Sequence, residues 1–273
     1  MLSAKGVYYN ELNIYSSHNK TLRSTEGFFT LKRKKMNLDI KSEIPQLLNQ
    51  IEGLDIEQSI KLLADKFPQK AVFSTSFSVE DQVISHVILQ NKIPVDIFTL
   101  DTGRIFPETY SVWSSTNERY HTQIKAYTPD FKNLESYITA KGPNAFYESV
   151  ENRKQCCHIR KVEPLKRALN GQQLWITGLR AEHSAARQDL QILEWDEGHQ
   201  LIKFHPLLHW STEEVKQFIT KNNVPYNTLQ DKGFVSLGCA PCTRAIKPGE
   251  DFRAGRWWWE DDSKKECGLH ENK

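Results

Sequence analysis

The sequence predicts an α/β fold, a mostly parallel sheet flanked by helices, and two observations carry that reading. Between residues 71 and 177 short apolar runs alternate with stretches of helical periodicity, and each run leads into a turn that opens a helix. At 273 residues the chain can bury one large core, so one main domain is expected. A content of 38% hydrophobic and 26% charged residues is that of an ordinary globular protein. No apolar run approaches the roughly 18 to 20 residues of a membrane span, so no membrane partner is expected.

Taken in order, residues 37–67 read as helical, with Ile44, Leu47, Leu48 and Ile51 at spacings of three and four. Ala71-Val72-Phe73 is a short strand that runs into Ser74-Thr75-Ser76-Phe77-Ser78. Val79, Val83, Ile84, Val87 and Ile88 then mark one face of a helix, with Ser78 at its start and Asp81 three residues on. The pattern repeats: residues 95–100 form a strand, Asp101-Thr102-Gly103 its turn, and Pro107 suits the first position of the next helix. Further strands are expected at 123–127 and 174–177, and helices at 133–140 and 159–169. Residues 190–195 and 200–205 read as an antiparallel pair across Asp196-Glu197-Gly198. Ser211-Thr212-Glu213-Glu214 is a capping box that opens a helix to about Lys221. Beyond Gly233 periodicity disappears, and the last forty residues read as an irregular functional tail.

Residues 1–35 hold seven Lys or Arg against two Glu and end in Lys32-Arg33-Lys34-Lys35, followed at once by Met36. They read as a basic leader, disordered or dispensable, either upstream of a start at Met36 or a targeting peptide; a secretory signal is disfavoured by Glu11, Glu26 and the lack of a compact apolar stretch. The remainder is slightly acidic, which disfavours a nucleic-acid partner. Five cysteines, an odd number in uneven spacing, do not suit a secreted disulfide framework; a reducing, cytoplasmic setting fits better. The expected divisions are the leader at 1–35, the α/β domain at 36–245 and a mobile tail at 246–273.

The hydroxyls of Ser74, Ser76 and Ser78, with the backbone N–H groups of the following helix start, offer an anion site at the end of the first strand. Taken alone, such a turn is as easily a helix cap in an ordinary loop. It resembles the adenine nucleotide α-hydrolase group, whose pyrophosphate-loop members carry Ser-Gly-Gly-x-Asp-Ser at this place. Here Thr75 and Ser76 stand where two glycines would let a pyrophosphate lie against the backbone, which disfavours an ATP-splitting, tRNA-thiolating enzyme.

Cys156-Cys157 and Cys239-Ala240-Pro241-Cys242 supply four thiolates, suited to structural zinc or to a cubane cluster. Adjacent cysteines bend poorly round one zinc ion, whereas in a cubane each thiolate takes its own iron. The spacing leans toward a 4Fe–4S cluster, much of the weight coming from the resemblance given below, with a zinc-bound interaction protein as the non-enzymatic alternative. His158, Arg160 and Lys161 follow the first pair and would offset the charge of a thiolate-bound cluster. Cys267 stands alone between Lys264-Lys265 and His270, cationic company that lowers a thiol pKa.

Together with Asp101-Thr102-Gly103-Arg104-Ile105-Phe106-Pro107-Glu108-Thr109, Arg153-Lys154-Gln155-Cys156-Cys157 and Gly178-Leu179-Arg180-Ala181-Glu182-His183-Ser184-Ala185-Ala186-Arg187, the tail carries a resemblance. Its segments are Ser236-Leu237-Gly238-Cys239-Ala240-Pro241-Cys242-Thr243-Arg244, Arg253-Ala254-Gly255-Arg256-Trp257-Trp258-Trp259-Glu260 and Glu266-Cys267-Gly268-Leu269-His270. Over about residues 40–270 the chain resembles the assimilatory adenosine 5′-phosphosulfate reductases, thioredoxin-dependent members of the phosphoadenosine phosphosulfate reductase family. That resemblance implies a 4Fe–4S cluster on Cys156, Cys157, Cys239 and Cys242, and Cys267 as the nucleophile that becomes S-sulfonated. It implies adenosine 5′-phosphosulfate as substrate, with the 3′-phosphorylated nucleotide, or both, as the alternative, and thioredoxin or glutaredoxin as reductant. A homo-oligomer is left open. The adenosine is expected near Ser74, Ser76, Ser78, Asp101, Thr102 and Gly103, and the phosphosulfate toward Lys161, Arg180, Arg187, Arg253, Arg256 and His270, because guanidinium groups grip two oxygens at once.

Overall fold

The computed structural model describes residues 40–183, 189–261 and 269. By its contacts the chain divides after Glu43. Of the first unit only residues 40–43 are described, where the Glu43 N–H donates to the Ile40 carbonyl at 3.1 Å. The unit from Ile44 onward holds all six described strands. The leader at 1–35 lies outside the described residues.

Helices α1 (Ile44–Ile51) and α2 (Ile56–Lys66) replace the single helical stretch read from the sequence. The break is at Gly53, whose φ of +74° a residue with a side chain rarely adopts, and at Asp55, which forms a capping box with Gln58. Strand β1 (Ala71–Thr75) leads to α3 (Val79–Gln90), capped by the Ser78 hydroxyl, which accepts from the Asp81 N–H. Strand β2 (Asp96–Leu100) leads to α4 (Pro107–Tyr120), with Pro107 at the first helical position, and then come β3 (Lys125–Tyr127) and α5 (Phe131–Lys141).

Helix α6 (Val150–Cys157), which the sequence pattern does not predict, continues through a π turn at His158–Val162 into α7 (Glu163–Leu169). Pro164 accounts for the widened turn: it has no N–H for the Arg160 carbonyl, and its ring crowds that oxygen, so the helix cannot continue with ordinary spacing. Strands β4 (Leu174–Ile176), β5 (Leu193–Asp196) and β6 (Leu201–Phe204), then α8 (Thr212–Lys221), complete the regular elements; the Ser211–Glu214 capping box is present.

The six strands lie in the order β3-β2-β1-β4-β6-β5, parallel throughout except for β5, which runs antiparallel to β6. Helix α7 buries Leu165, Ala168 and Leu169 against Val72, Phe98, Trp175 and Leu201, while α3 packs on β1, α2 and α8. By the pleat, Phe73 faces the side opposite Val72; both are buried. From β1 the chain builds outward to β3 and then returns to β4 on the other side of β1. That reversal opens a crevice beyond the carboxyl ends of β1 and β4, where open α/β sheets take their ligands. Among the described residues no helix is long and apolar enough to cross a membrane.

Candidate active site

A cavity of about 230 Å³ lies at that reversal, walled by Ser74 and Thr75 from β1, Thr99 and Leu100 from β2, and Trp175 and Thr177 at the end of β4. Of the residues expected to meet a nucleotide, it gathers Ser74, Ser76 and Ser78 from the hydroxyl turn and Thr102 beyond β2. Lys161, Arg253 and Arg256 join the same wall from the π turn and the C-terminal segment.

The serines are already engaged. Ser74 Oγ accepts from Trp175 Nε1 at 2.8 Å. Ser76 donates its N–H and its hydroxyl to Asp81 Oδ2, at 2.6 and 2.7 Å, so the two donors expected to meet a phosphate hold a carboxylate instead. Burial pushes the Asp81 carboxyl up to about 6, against the pull of the Ser76 hydrogen bonds. Asp81 also presses on Gly178, where an added Cβ would fall 2.3 Å from Oδ1. Phe77, at φ +59° and fully buried, keeps the turn in its left-handed bend, with its N–H on Thr75 Oγ1.

Other expected contacts stand elsewhere. The Asp101 carboxylate accepts from Gly103 N–H and from the Tyr110 hydroxyl, both at 2.8 Å, and Gly103 takes φ +67°. These two build the turn that presents Thr102 and do not line the cavity. Arg180 does not reach it either. Its buried guanidinium is held by Glu80 at 3.1 Å, by Glu182, by the Trp210 carbonyl at 2.9 Å and by Thr212 Oγ1 at 3.0 Å. Arg180 thus neutralises Glu80, a cavity-lining carboxylate, from behind. Arg187, Cys267 and His270 lie outside the described residues, as does all of the tail beyond Asp261 except Leu269. Leu269 lines the cavity and packs against the cluster of Val72, Leu165 and Trp175.

Cys156, Cys157, Cys239 and Cys242, each 8–9% exposed, form no disulfide among the described residues and line a second, smaller cavity with Arg104, Arg153, Arg160 and Lys161. The first pair ends α6; successive helical side chains diverge by about 100°, so the pair borders a space rather than meeting at a point. In the second pair Cys239 precedes a 3₁₀ turn at Ala240–Cys242, and Ala240 N–H donates to the Arg104 carbonyl at 2.8 Å. No group of three or more His, Cys, Asp or Glu converges as one metal ion requires, among the described residues.

The residues fit a cluster. Burial, and then the neighbouring Cys239, push the Cys242 thiol up to about 12, and burial raises Cys156, so these thiols are protonated until a thiophilic metal displaces the proton. Lys161 and Arg256 act on Cys242 and Arg160 and Arg104 on Cys156, cationic neighbours that suit a negatively charged group. Trp257 packs against the same thiols, and its buried Nε1–H has no hydrogen-bond partner among the described residues. A sulfide or thiolate sulfur is an acceptor of the kind that N–H lacks.

Arg153 fastens the wall: it donates to Glu260 at 2.9 and 2.7 Å, both partners almost fully buried, and lies 4.7 Å over the Trp257 ring. Arg256 donates to the Leu237 carbonyl at 3.0 Å and lies 4.8 Å from the same ring. A Cβ at Gly238 would fall 2.3 Å from that guanidinium and displace it. The two cavities share Cys239 and Lys161.

Residues 70–245 match the phosphoadenosine phosphosulfate reductase domain family. The chain is 45% identical over 220 residues to an adenosine 5′-phosphosulfate reductase of Agrobacterium fabrum, covering 81% of this chain and 84% of the relative. It is 50% identical over 199 residues to another from Allochromatium vinosum, covering 73% and 78%. A crystal structure of phosphoadenylyl-sulfate reductase from Candida auris, a phosphate complex, superposes with a TM-score of 0.65 at 29% identity, covering 76% of this chain and 97% of that one.

Proposed function

This chain belongs to the phosphoadenosine phosphosulfate reductase family, and from that membership and the paired cavities we propose that it reduces adenosine 5′-phosphosulfate to sulfite and AMP in sulfate assimilation. The observation that carries the reading is the shared wall: Cys239 and Lys161 border both the strand-end cavity and the cavity of four thiols. An anionic ligand in the first is thus adjacent to whatever the second holds.

Cys156, Cys157, Cys239 and Cys242 would hold a 4Fe–4S cluster, which when bound supplies a fixed charge and a rigid scaffold beside the substrate. The chain's own residues do the rest. The adenosine lies at the strand ends, and Lys161, Arg253 and Arg256 face the phosphosulfate, a basic cluster that stabilises the departing phosphate. The Cys267 thiolate attacks the sulfur of the sulfonyl group, the new S–S bond forms as the bond to the bridging oxygen breaks, and AMP leaves with the electron pair. Leu269, two residues further on, lines the cavity, which supports this assignment. A thioredoxin-type dithiol supplies both electrons: one thiolate attacks the Cys267 sulfur and expels sulfite, and its second thiol resolves the mixed disulfide. We assign the reaction to a reducing, cytoplasmic compartment, where such thiols persist.

Sulfite release from adenosine 5′-phosphosulfate and from its 3′-phosphorylated form, with reduced thioredoxin and anaerobically purified protein, tests the reading. Faster release from the former is expected; no release from either nucleotide would overturn it.

A further inference from the structure

We propose that His205 is a positioning residue that holds the Thr177 hydroxyl as a hydrogen-bond acceptor for the nucleoside half of the ligand. The inference rests on the reading of the cavity as a nucleotide site. Thr177 and His205 directly follow the paired ends of β4 and β6, where Ile176 lies beside Phe204, and Thr177 N–H donates to the Phe204 carbonyl at 3.0 Å. Thr177 lines the cavity; His205 stands behind it, fully buried, with Nδ1 2.6 Å from Thr177 Oγ1.

The other ring nitrogen decides the direction of that bond. His205 Nε2 faces the Glu194 carboxylate at 3.5 Å, and Glu194 in turn faces Lys203, itself 3.0 Å from Asp196. We take the ring as neutral, with its proton on the nitrogen nearer the carboxylate, which leaves Nδ1 an acceptor. The Thr177 O–H must then donate to His205. One of its lone pairs takes the Leu179 N–H at 3.4 Å, and the other remains for a ligand.

An acceptor lone pair repels phosphate and sulfate oxygens and takes N–H or O–H groups. In an adenosine phosphosulfate those groups are confined to the nucleoside: the 6-amino group and the ribose hydroxyls. Thr177 therefore orients the ligand, with the nucleoside against the end of β4 and the anion directed toward Lys161, Arg253 and Arg256.

Calorimetric titration of the full-length holoprotein with AMP, its 2′-deoxy and 3′-deoxy forms and purine riboside 5′-monophosphate tests this. Thr177→Val is expected to weaken AMP binding about fivefold, the worth of one neutral hydrogen bond. It should also abolish the preference for AMP over the one analogue that lacks the recognised donor, and Thr177→Ser should restore both. His205→Gln is expected to cost a similar factor alone and nothing further in the Thr177→Val background, because it acts through that hydroxyl. An unchanged AMP affinity in Thr177→Val, or an equal cost of His205→Gln in both backgrounds, overturns the proposal. A protein that binds AMP in this pattern yet releases no sulfite overturns the reductase reading alone.

Discussion

The Thr102 hydroxyl lies 3.2 Å from Cys239 Sγ, and the Thr102 carbonyl accepts from Arg160 Nη1 at 2.6 Å. One residue thus ties the loop after β2 to a thiol of the second cavity and to the π turn beyond Cys157. Thr102→Val keeps the shape and removes the hydroxyl. Nucleotide affinity is expected to fall about fivefold and the visible absorption of the protein to bleach faster in air, as followed by titration and spectroscopy.

At Gly238 an added methyl would fall 2.3 Å from Arg256 Nη2 and 2.6 Å from its Cζ. The guanidinium must move away from the anion end of the cavity. Gly238→Ala is expected to weaken AMP binding about tenfold or more, the range of a charge-assisted hydrogen bond, with little change in unfolding temperature. Equal affinities would show that Arg256 does not grip the phosphate.

Asp81 makes stability depend on pH. Its folded-state pKa is raised from 3.8 to about 6, so the folded protein binds the proton more tightly than the unfolded chain. Its contribution is therefore full below about pH 4 and is lost as pH rises through 6. Relative to Asp81→Asn, the wild type is expected to lose about 2 kcal/mol between about pH 4 and pH 7 in urea unfolding. Carboxylates with lowered values, Glu182 and Asp196 among them, act in the opposite sense but are common to both proteins and cancel.

Glu260 is the buried partner of Arg153, which sits beside the thiols. Glu260→Ala strands a guanidinium without its carboxylate, at a cost of about 3–5 kcal/mol, and is expected to lower the unfolding temperature by about 10 °C or more and to impair iron retention. Calorimetric scanning and iron analysis check both. Replacing the pair together by Met and Leu should recover much of the lost stability.

Much of this fold was legible because its signals are local. Ser78, Pro107 and the Ser211–Glu214 box mark helix starts through neighbours within one turn, and the apolar runs of β1, β2 and β4 announce buried parallel strands. Helix α6 was not legible: in Val-Glu-Asn-Arg-Lys-Gln-Cys-Cys the buried residues are Arg153 and two cysteines, so no apolar stripe betrays it. The site divides in the same way. Seven of the expected cavity residues meet in space, but the fate of Arg180 depends on Glu80, 100 positions away, and that of Ser76 on a carboxylate that reads in sequence as part of a helix start. Asp101 and Gly103 are near enough to the cavity to be mistaken for its wall, yet their groups close a turn on each other.

The division of work between one reactive thiol and four cavity-lining ones is tested most directly by mass spectrometry of the protein mixed with adenosine 5′-phosphosulfate and no reductant. One SO₃ group on Cys267, absent from the Cys267→Ser variant and discharged as sulfite by thioredoxin, is the expected result. An unmodified Cys267 in a protein that still turns over the nucleotide, or a sulfonate on any of the other four cysteines, would contradict it.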